Sequence, residues 1–159
     1  MTSIDTYTDD VKDATIKLIL GILESEFNHV GIDRPDIHNI PEIYQRGKGN
    51  FWVATDNGQI IGTIALEDYG NGRGYLKRMY VSKNHRGSGL AQQLLETQLD
   101  FARIQHYQTI FLGTTEDMKA ANKFYQKQGF ARIPSLPEGL PHFGDTVFYK
   151  LELLSGPTS

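Results

Sequence analysis

An α/β fold built around one mixed sheet is the class this sequence predicts. Three observations point to it. Apolar residues at helical spacing fill the first part of the chain. Three short strands joined by tight turns follow. Strands and helices then alternate until two extended runs close the chain. A length of 159 residues suits one core, and 39% apolar with 22% charged residues is an ordinary globular balance. Eight Phe and eight Tyr are enough large side chains to pack both sheet faces. One domain over residues 1–154 is expected, with residues 155–159 as a frayed, flexible tail.

Each element has its own signal. Thr8, Asp9 and Asp10 offer helix caps. Val11, Ala14, Ile16, Leu18, Ile19, Ile22, Leu23 and Phe27 then supply an apolar helical face, which Gly31 is expected to end. Pro35 and Asp36 open a second helical segment through Ile37, Ile40, Ile43 and Tyr44. The period changes at residues 51–55, which read as a strand. Asn57-Gly58 favours the positive φ of a hairpin turn, and residues 60–66 return as the second strand. A glycine-rich turn at residues 70–74 leads to a third strand at residues 75–81. A helix is expected from near Ser88, burying Leu90, Ala91, Leu94, Leu95, Leu99 and Ala102. Residues 109–113 form a strand, and Asp117 is placed to cap the next helix, which carries Met118, Ala121, Phe124 and Tyr125. Gly129 ends it. Residues 130–133 are extended, residues 135–145 form a loop, and residues 146–153 are the last strand. The sheet is expected to be antiparallel in the meander and parallel where a helix intervenes.

Composition excludes several classes. With no cysteine, there is no disulfide, thiolate nucleophile or Cys-ligated metal. His29, His38, His85, His106 and His142 show no metal-binding spacing, so no metal is expected. Sixteen basic against nineteen acidic residues give a net charge of −3, which speaks against a nucleic-acid partner. The first ten residues lack a basic-then-apolar leader, and the apolar runs are too short to span a bilayer. No membrane association and a cytoplasmic location are the expectations.

The stretch that carries chemistry runs from Met79 to Ala91. It passes from strand through a glycine-containing loop into a helix. In Arg86-Gly87-Ser88-Gly89-Leu90-Ala91, two glycines stand where the helix starts. Bare backbone lets a phosphate approach, the free N–H groups of the first turn point at it, and the helix dipole adds attraction. Arg86 brings a full positive charge. Taken alone, the pattern also fits a plain strand-to-helix turn. The cluster at residues 70–74 precedes a strand, so it is no dinucleotide fingerprint.

Together with a second segment, this stretch resembles the GNAT acyltransferase superfamily. Arg86, Gly89 and Ala91 match that family's pyrophosphate motif, Gln/Arg-x-x-Gly-x-Gly/Ala. Met79-Tyr80-Val81 matches the Leu-x-Val that ends its preceding strand. The later family segment Ala-x-x-Phe-Tyr-x-x-x-Gly-Phe stands here as Ala121, Phe124, Tyr125, Gly129 and Phe130. The likeness extends more weakly over residues 51–153. It implies a GNAT-like sheet with a bulged third meander strand splayed from the next parallel strand, and acetyl-CoA lying in the gap. It implies that the Met79 N–H binds the thioester carbonyl and the Val81 N–H the pantetheine arm. Arg86, Gly87, Ser88, Gly89, Leu90 and Ala91 would hold the pyrophosphate. A primary amine, of a small molecule or a peptide, would attack directly without an acyl-enzyme, and Tyr125 would protonate the leaving thiolate. A homodimer is compatible with the resemblance. A non-catalytic acyl-CoA sensor of the same fold is the alternative, and Tyr125 can also be read as a core aromatic.

Two departures from the family stand out. Its frequent pantetheine-binding Asn, seven residues before the Tyr, is Met118 here; Asn122 is the nearby candidate, with a cap or solvent role as the other reading. The frequent carboxylate, four residues before the Leu of Leu-x-Val, is Tyr75 here. No base is therefore expected on the third meander strand. Ordered water is expected to carry the proton, through Tyr75 or His142, unless neutral amine is captured. Glu24 and Glu26 are candidates to attract an ammonium, or a solvated helix face; Trp52 reads as core and His85 as solvent-facing.

Overall fold

The computed structural model describes residues 1–27, 34–141 and 143–153. Its elements in chain order are β1 (Thr2–Thr6), α1 (Lys12–Phe27), α2 (Pro35–His38), α3 (Ile40–Ile43), β2 (Asn50–Asp56), β3 (Gln59–Asp68) and β4 (Arg73–Val81). There follow α4 (Leu90–Ile104), β5 (Thr109–Thr114), α5 (Lys119–Lys127), β6 (Ala131–Ile133) and β7 (Val147–Glu152). Seven strands form one sheet in the order β1-β2-β3-β4-β5-β7-β6. Only β4 and β5 are parallel, and α4 makes the crossover between them.

The meander forms as the sequence predicts. Asn57 and Gly58 take φ of 51° and 80°, the left-handed pair that a two-residue hairpin needs. Both sheet faces are covered, so β2 is apolar on both. Phe51 and Val53 face Ile19, Leu23, Ile37 and Ile40 of α1 to α3, and Tyr44 just after them. Trp52 and Ala54 pack with Leu90, Leu94, Leu95 and Leu99 of α4. Trp52 is core, edge-on to Phe101 at 5.1 Å between ring centres.

The structure corrects some sequence expectations. β1 is an unforeseen strand, pairing antiparallel with β2. Its side chains are exposed except at Ile4, so Thr2–Thr6 shows no apolar alternation to read. The second helical segment is two short helices broken at Asn39, because Pro41 has no N–H to continue the ladder. α4 starts at Leu90, since Gly89 holds φ +85° as its cap. Met118 occupies the cap position of α5, while Asp117 accepts the Thr115 hydroxyl instead. The expected helix stop at Gly31 and the tail from Ser155 lie outside the described residues.

Two irregularities shape the middle of the sheet. Opposite β3, the register slips between Thr63–Tyr80 and Ala65–Lys77, so β4 carries one extra residue. Arg78 sits there with φ +53°. Two buried side chains tie off carbonyls beside the bulge. Thr63 Oγ1 donates to the Arg78 carbonyl at 2.7 Å, and Gln98 Nε2 donates to that of Ala65 at 2.7 Å. The second irregularity is on the other side of β4. Its ladder with β5 holds only Arg73–Thr109, Gly74–Ile110 and Tyr75–Phe111, and beyond that the strands part.

Candidate active site

The parting of β4 and β5 opens a cleft of about 1150 Å³. Tyr75 to Tyr80 line one wall and Leu112 to Thr115 the other, with Met118, Ala121 and Tyr125 of α5 above. The rim comes from Leu23 and Glu26 of α1, from Asp36, and from Tyr44 after α3. Ser82 donates its N–H to the Ile61 carbonyl of β3 at 2.8 Å. Alternation along the strand therefore turns the N–H groups of Val81 and Met79 away from β3, toward the gap. The Tyr125 hydroxyl lies 3.9 Å from Met79 Sδ. Burial first, then the charges of Tyr80 and Asp145, push its pKa far above the ordinary phenol value. The hydroxyl is thus a proton donor at neutral pH.

The glycine loop leads into α4. Gly87 and Gly89 have φ of +77° and +85°, and a Cβ on either would meet nothing within 4 Å. Conformation, not crowding, requires glycine there, and the space above both is open to a ligand. The first N–H groups of α4 have no partner within the helix, as at any helix start. Arg86 is turned away from them. Its Nη1 and Nη2 contact both carboxylate oxygens of Glu26 at 2.5 and 2.7 Å, and its Nε donates to the Val81 carbonyl at 3.1 Å. That pair links the loop to α1 and holds the Glu26 carboxyl below the usual range.

The other candidates divide. Asn122 does not line the cleft. Its Nδ2 donates to the carbonyls of Thr115 and Met118 at 3.0 and 2.8 Å, and its Oδ1 accepts from the Tyr149 hydroxyl at 2.7 Å. The amide braces the turn between β5 and α5. Met118, at the family's Asn position, does line the cleft. Glu24 is exposed and absent from the lining. His85 bonds Ser82 Oγ through Nδ1 at 2.8 Å and lies 3.5 Å from Asp56 through Nε2, partly exposed. His142 lies outside the described residues. No group of three His, Cys, Asp or Glu among the described residues is placed to hold a metal, and none of their helices is long and apolar enough to cross a membrane.

Sequence reading missed three residues. Arg78 grips Asp36 through two 2.8 Å hydrogen bonds, and Asp36 also accepts the Tyr44 hydroxyl at 2.6 Å. Burial alone would raise the Asp36 carboxyl, but the Arg78 bonds and charge outweigh it and leave it low. No spacing could pair residues 42 positions apart, although Pro35-Asp36 at a helix start did mark the acid's position. Asp145 was passed over as the end of a loop. It lines the cleft half-buried, and burial raises its pKa while Lys77 pulls the other way.

A parallel pair that splits, a bulge in the first strand of that pair and a glycine-capped helix connecting the two strands define the GNAT fold class. Residues 17–130 match the model of the acetyltransferase (GNAT) family, and the chain belongs to that family. It is 37% identical over 121 residues to N-acetylaspartate synthetase of Xenopus tropicalis, covering 74% of this chain and 42% of that protein. It is 38% identical over 103 residues to N-acetyltransferase 8 of Rattus norvegicus, covering 61% of this chain and 46% of that one. The chain thus spans less than half the length of either relative. An acetyltransferase of GNAT family from Staphylococcus aureus Mu50 superposes with a TM-score of 0.89 at 34% identity, over 96% of this chain and 99% of that chain. PaiA N-acetyltransferase of Thermoplasma acidophilum, solved in complex with coenzyme A, shares the fold at a TM-score of 0.76 and 14% identity, over 96% and 99%.

Proposed function

We propose that this chain transfers the acetyl group of acetyl-CoA to a primary amine by direct attack. The observation that carries the reading is the meeting, in one cleft, of the gap-facing Met79 amide with the buried Tyr125 hydroxyl. The positive-φ glycine loop adjoins β4, which forms the same cleft's wall. The Met79 N–H holds the thioester oxygen and strengthens its grip as that oxygen gains charge. The Val81 N–H holds the pantetheine arm. Gly87, Ser88, Gly89, Leu90 and Ala91 present backbone N–H groups to the pyrophosphate, with Arg86 beside them once it leaves Glu26. The amine nitrogen attacks the carbonyl carbon, the C–S bond breaks, and Tyr125 gives its proton to the thiolate sulfur. Asn122 keeps the β5–α5 turn in place and so positions Tyr125.

The test pairs two measurements. Calorimetry should show acetyl-CoA binding to the wild type and none to folded Gly89→Asp, whose carboxylate would stand against the pyrophosphate. Thiol release from acetyl-CoA should then depend on an added amine. Binding without amine-dependent release would leave the non-catalytic sensor as the surviving reading. Unchanged binding in the variant would remove the site assignment.

A further inference from the structure

The sequence offers no base on β4, yet the structure places a carboxylate across from the vacant position. A methyl group on Gly113 of β5 would lie 2.5 Å from Asp145 Oδ2 and 2.8 Å from the Tyr75 hydroxyl. Both side chains therefore close down on the bare Cα of Gly113, nearer than any residue with a Cβ would allow. Gly113, Tyr75 and Asp145 all line the cleft. Tyr75 is 2% exposed, and its hydroxyl has no hydrogen-bond partner. Asp145 is likewise without a hydrogen bond or ion pair among the described residues. The groups facing it are Lys77 and Tyr75 from β4 and Tyr125 from α5. Lys77 is engaged elsewhere. It reaches Glu67 at 2.6 Å and lies over the Phe143 ring at 3.9 Å.

We propose that Asp145, from the wall of the cleft, binds the acceptor's ammonium group and takes its first proton. This rests on the acetyl-transfer reading above. An alkyl ammonium offers N–H donors and a positive charge to a carboxylate that has no other partner among the described residues. The proton balance closes. One proton passes from the ammonium to an Asp145 carboxylate oxygen, freeing the lone pair for attack. The second leaves the new amide nitrogen as the intermediate collapses and replaces the one Tyr125 gives to sulfur. The third stays on the amide. Asp145 then returns its proton to water.

The experiment uses Asp145→Asn, with the wild type as the control for the underlying reading. Acetyl-CoA affinity should be unchanged and kcat/KM for the amine should fall about 10²- to 10⁴-fold, the usual contribution of a positioned proton acceptor. In the wild type, kcat/KM should rise as Asp145 ionises and plateau. It should fall again only above the acceptor's own pKa, because the productive encounter joins a carboxylate to an ammonium. The first limb should vanish in the variant. Thermal stability should hold or rise, because a half-buried charge without an ion pair is removed. Gly113→Ala is the second variant; its methyl would stand 2.5 Å from Asp145 Oδ2 and push the carboxylate aside, so it should raise KM for the amine several-fold at unchanged acetyl-CoA affinity. If wild-type protein releases thiol with an amine, but Asp145→Asn keeps the rate and the limb, the proposal is overturned and the transfer reading stands. An unchanged KM in Gly113→Ala would also overturn it. If no amine prompts release from the wild type, the transfer reading itself fails.

Discussion

Removing Asp36 should cost this protein far more than removing Asp36, Arg78 and Tyr44 together. The Asp36 and Arg78 side chains are 22% and 15% exposed, and two 2.8 Å hydrogen bonds join them. Asp36→Ala leaves the guanidinium buried without its counter-charge and the Tyr44 hydroxyl without its acceptor. Breaking one side of a buried pair costs about 3–5 kcal/mol. For a domain of this size that is a fall in Tm of about 6–20 °C, at about 2–4 °C per kcal/mol. The clamp also holds Arg78 at φ +53°, where a residue other than glycine is strained by about 1–3 kcal/mol. Replacing the set by apolar residues of similar volume, Asp36→Leu, Arg78→Met and Tyr44→Phe, should be close to neutral, because no charge is left to desolvate. The sign with pH is fixed. A carboxyl held low in the folded state stabilises above its unfolded pKa of about 3.9, and the gain disappears as pH falls through the folded value. The gap between wild type and Asp36→Ala should therefore be full at pH 7 and shrink toward pH 2. Urea melts at several pH values measure it. An Asp36→Ala loss below about 1 kcal/mol, or a triple variant as damaged as the single one, would refute the reasoning.

Three further outcomes are expected. Tyr125→Phe removes only the hydroxyl, whose hydrogen-bond partner among the described residues is the Met79 sulfur, so Tm should barely move while kcat falls about 10²- to 10⁴-fold at unchanged acetyl-CoA affinity; pre-steady-state kinetics must show that chemistry limits the rate. Glu26→Gln releases the half-exposed Arg86 toward the pyrophosphate, so acetyl-CoA should bind up to about fivefold tighter, an effect that fades with salt. Gly89→Ala forces a methyl-bearing residue to hold φ +85° in open space, so it should lose about 1–2 kcal/mol of stability in a denaturant melt through conformation alone.

The sequence made legible those parts of the fold whose signal is local. Asn57-Gly58 specified its hairpin, the change of period at residues 51–55 marked β2, and Gly87 and Gly89 marked a bare backbone where a helix starts. β1 was illegible because an edge strand with exposed side chains carries no alternation. The site followed the same rule. Tyr125 and the loop before α4 were singled out because they sit in contiguous motifs. Arg78 and Asp36 were missed because the contact spans 42 positions, and the extra residue in β4 that aims Arg78 leaves no mark in composition. Asp145 was missed because its role depends on what lies across the sheet. Only the register brings β5 and its Gly113 opposite the start of β7.

The short ladder between β4 and β5 also sets how this sheet opens on the timescale of hydrogen exchange. A strand in mid-sheet normally exchanges its amides only when the whole domain unfolds. Here the β4 amides beyond Tyr75 that face the gap have no β5 carbonyl to hold them. They should exchange far faster than neighbours that pair with β3, giving β4 an alternating pattern of slow and fast amides within one continuous strand. A molecule that lays hydrogen-bond acceptors along the gap would erase the alternation at Met79 and Val81, and the protection factors of those two amides would then read its residence.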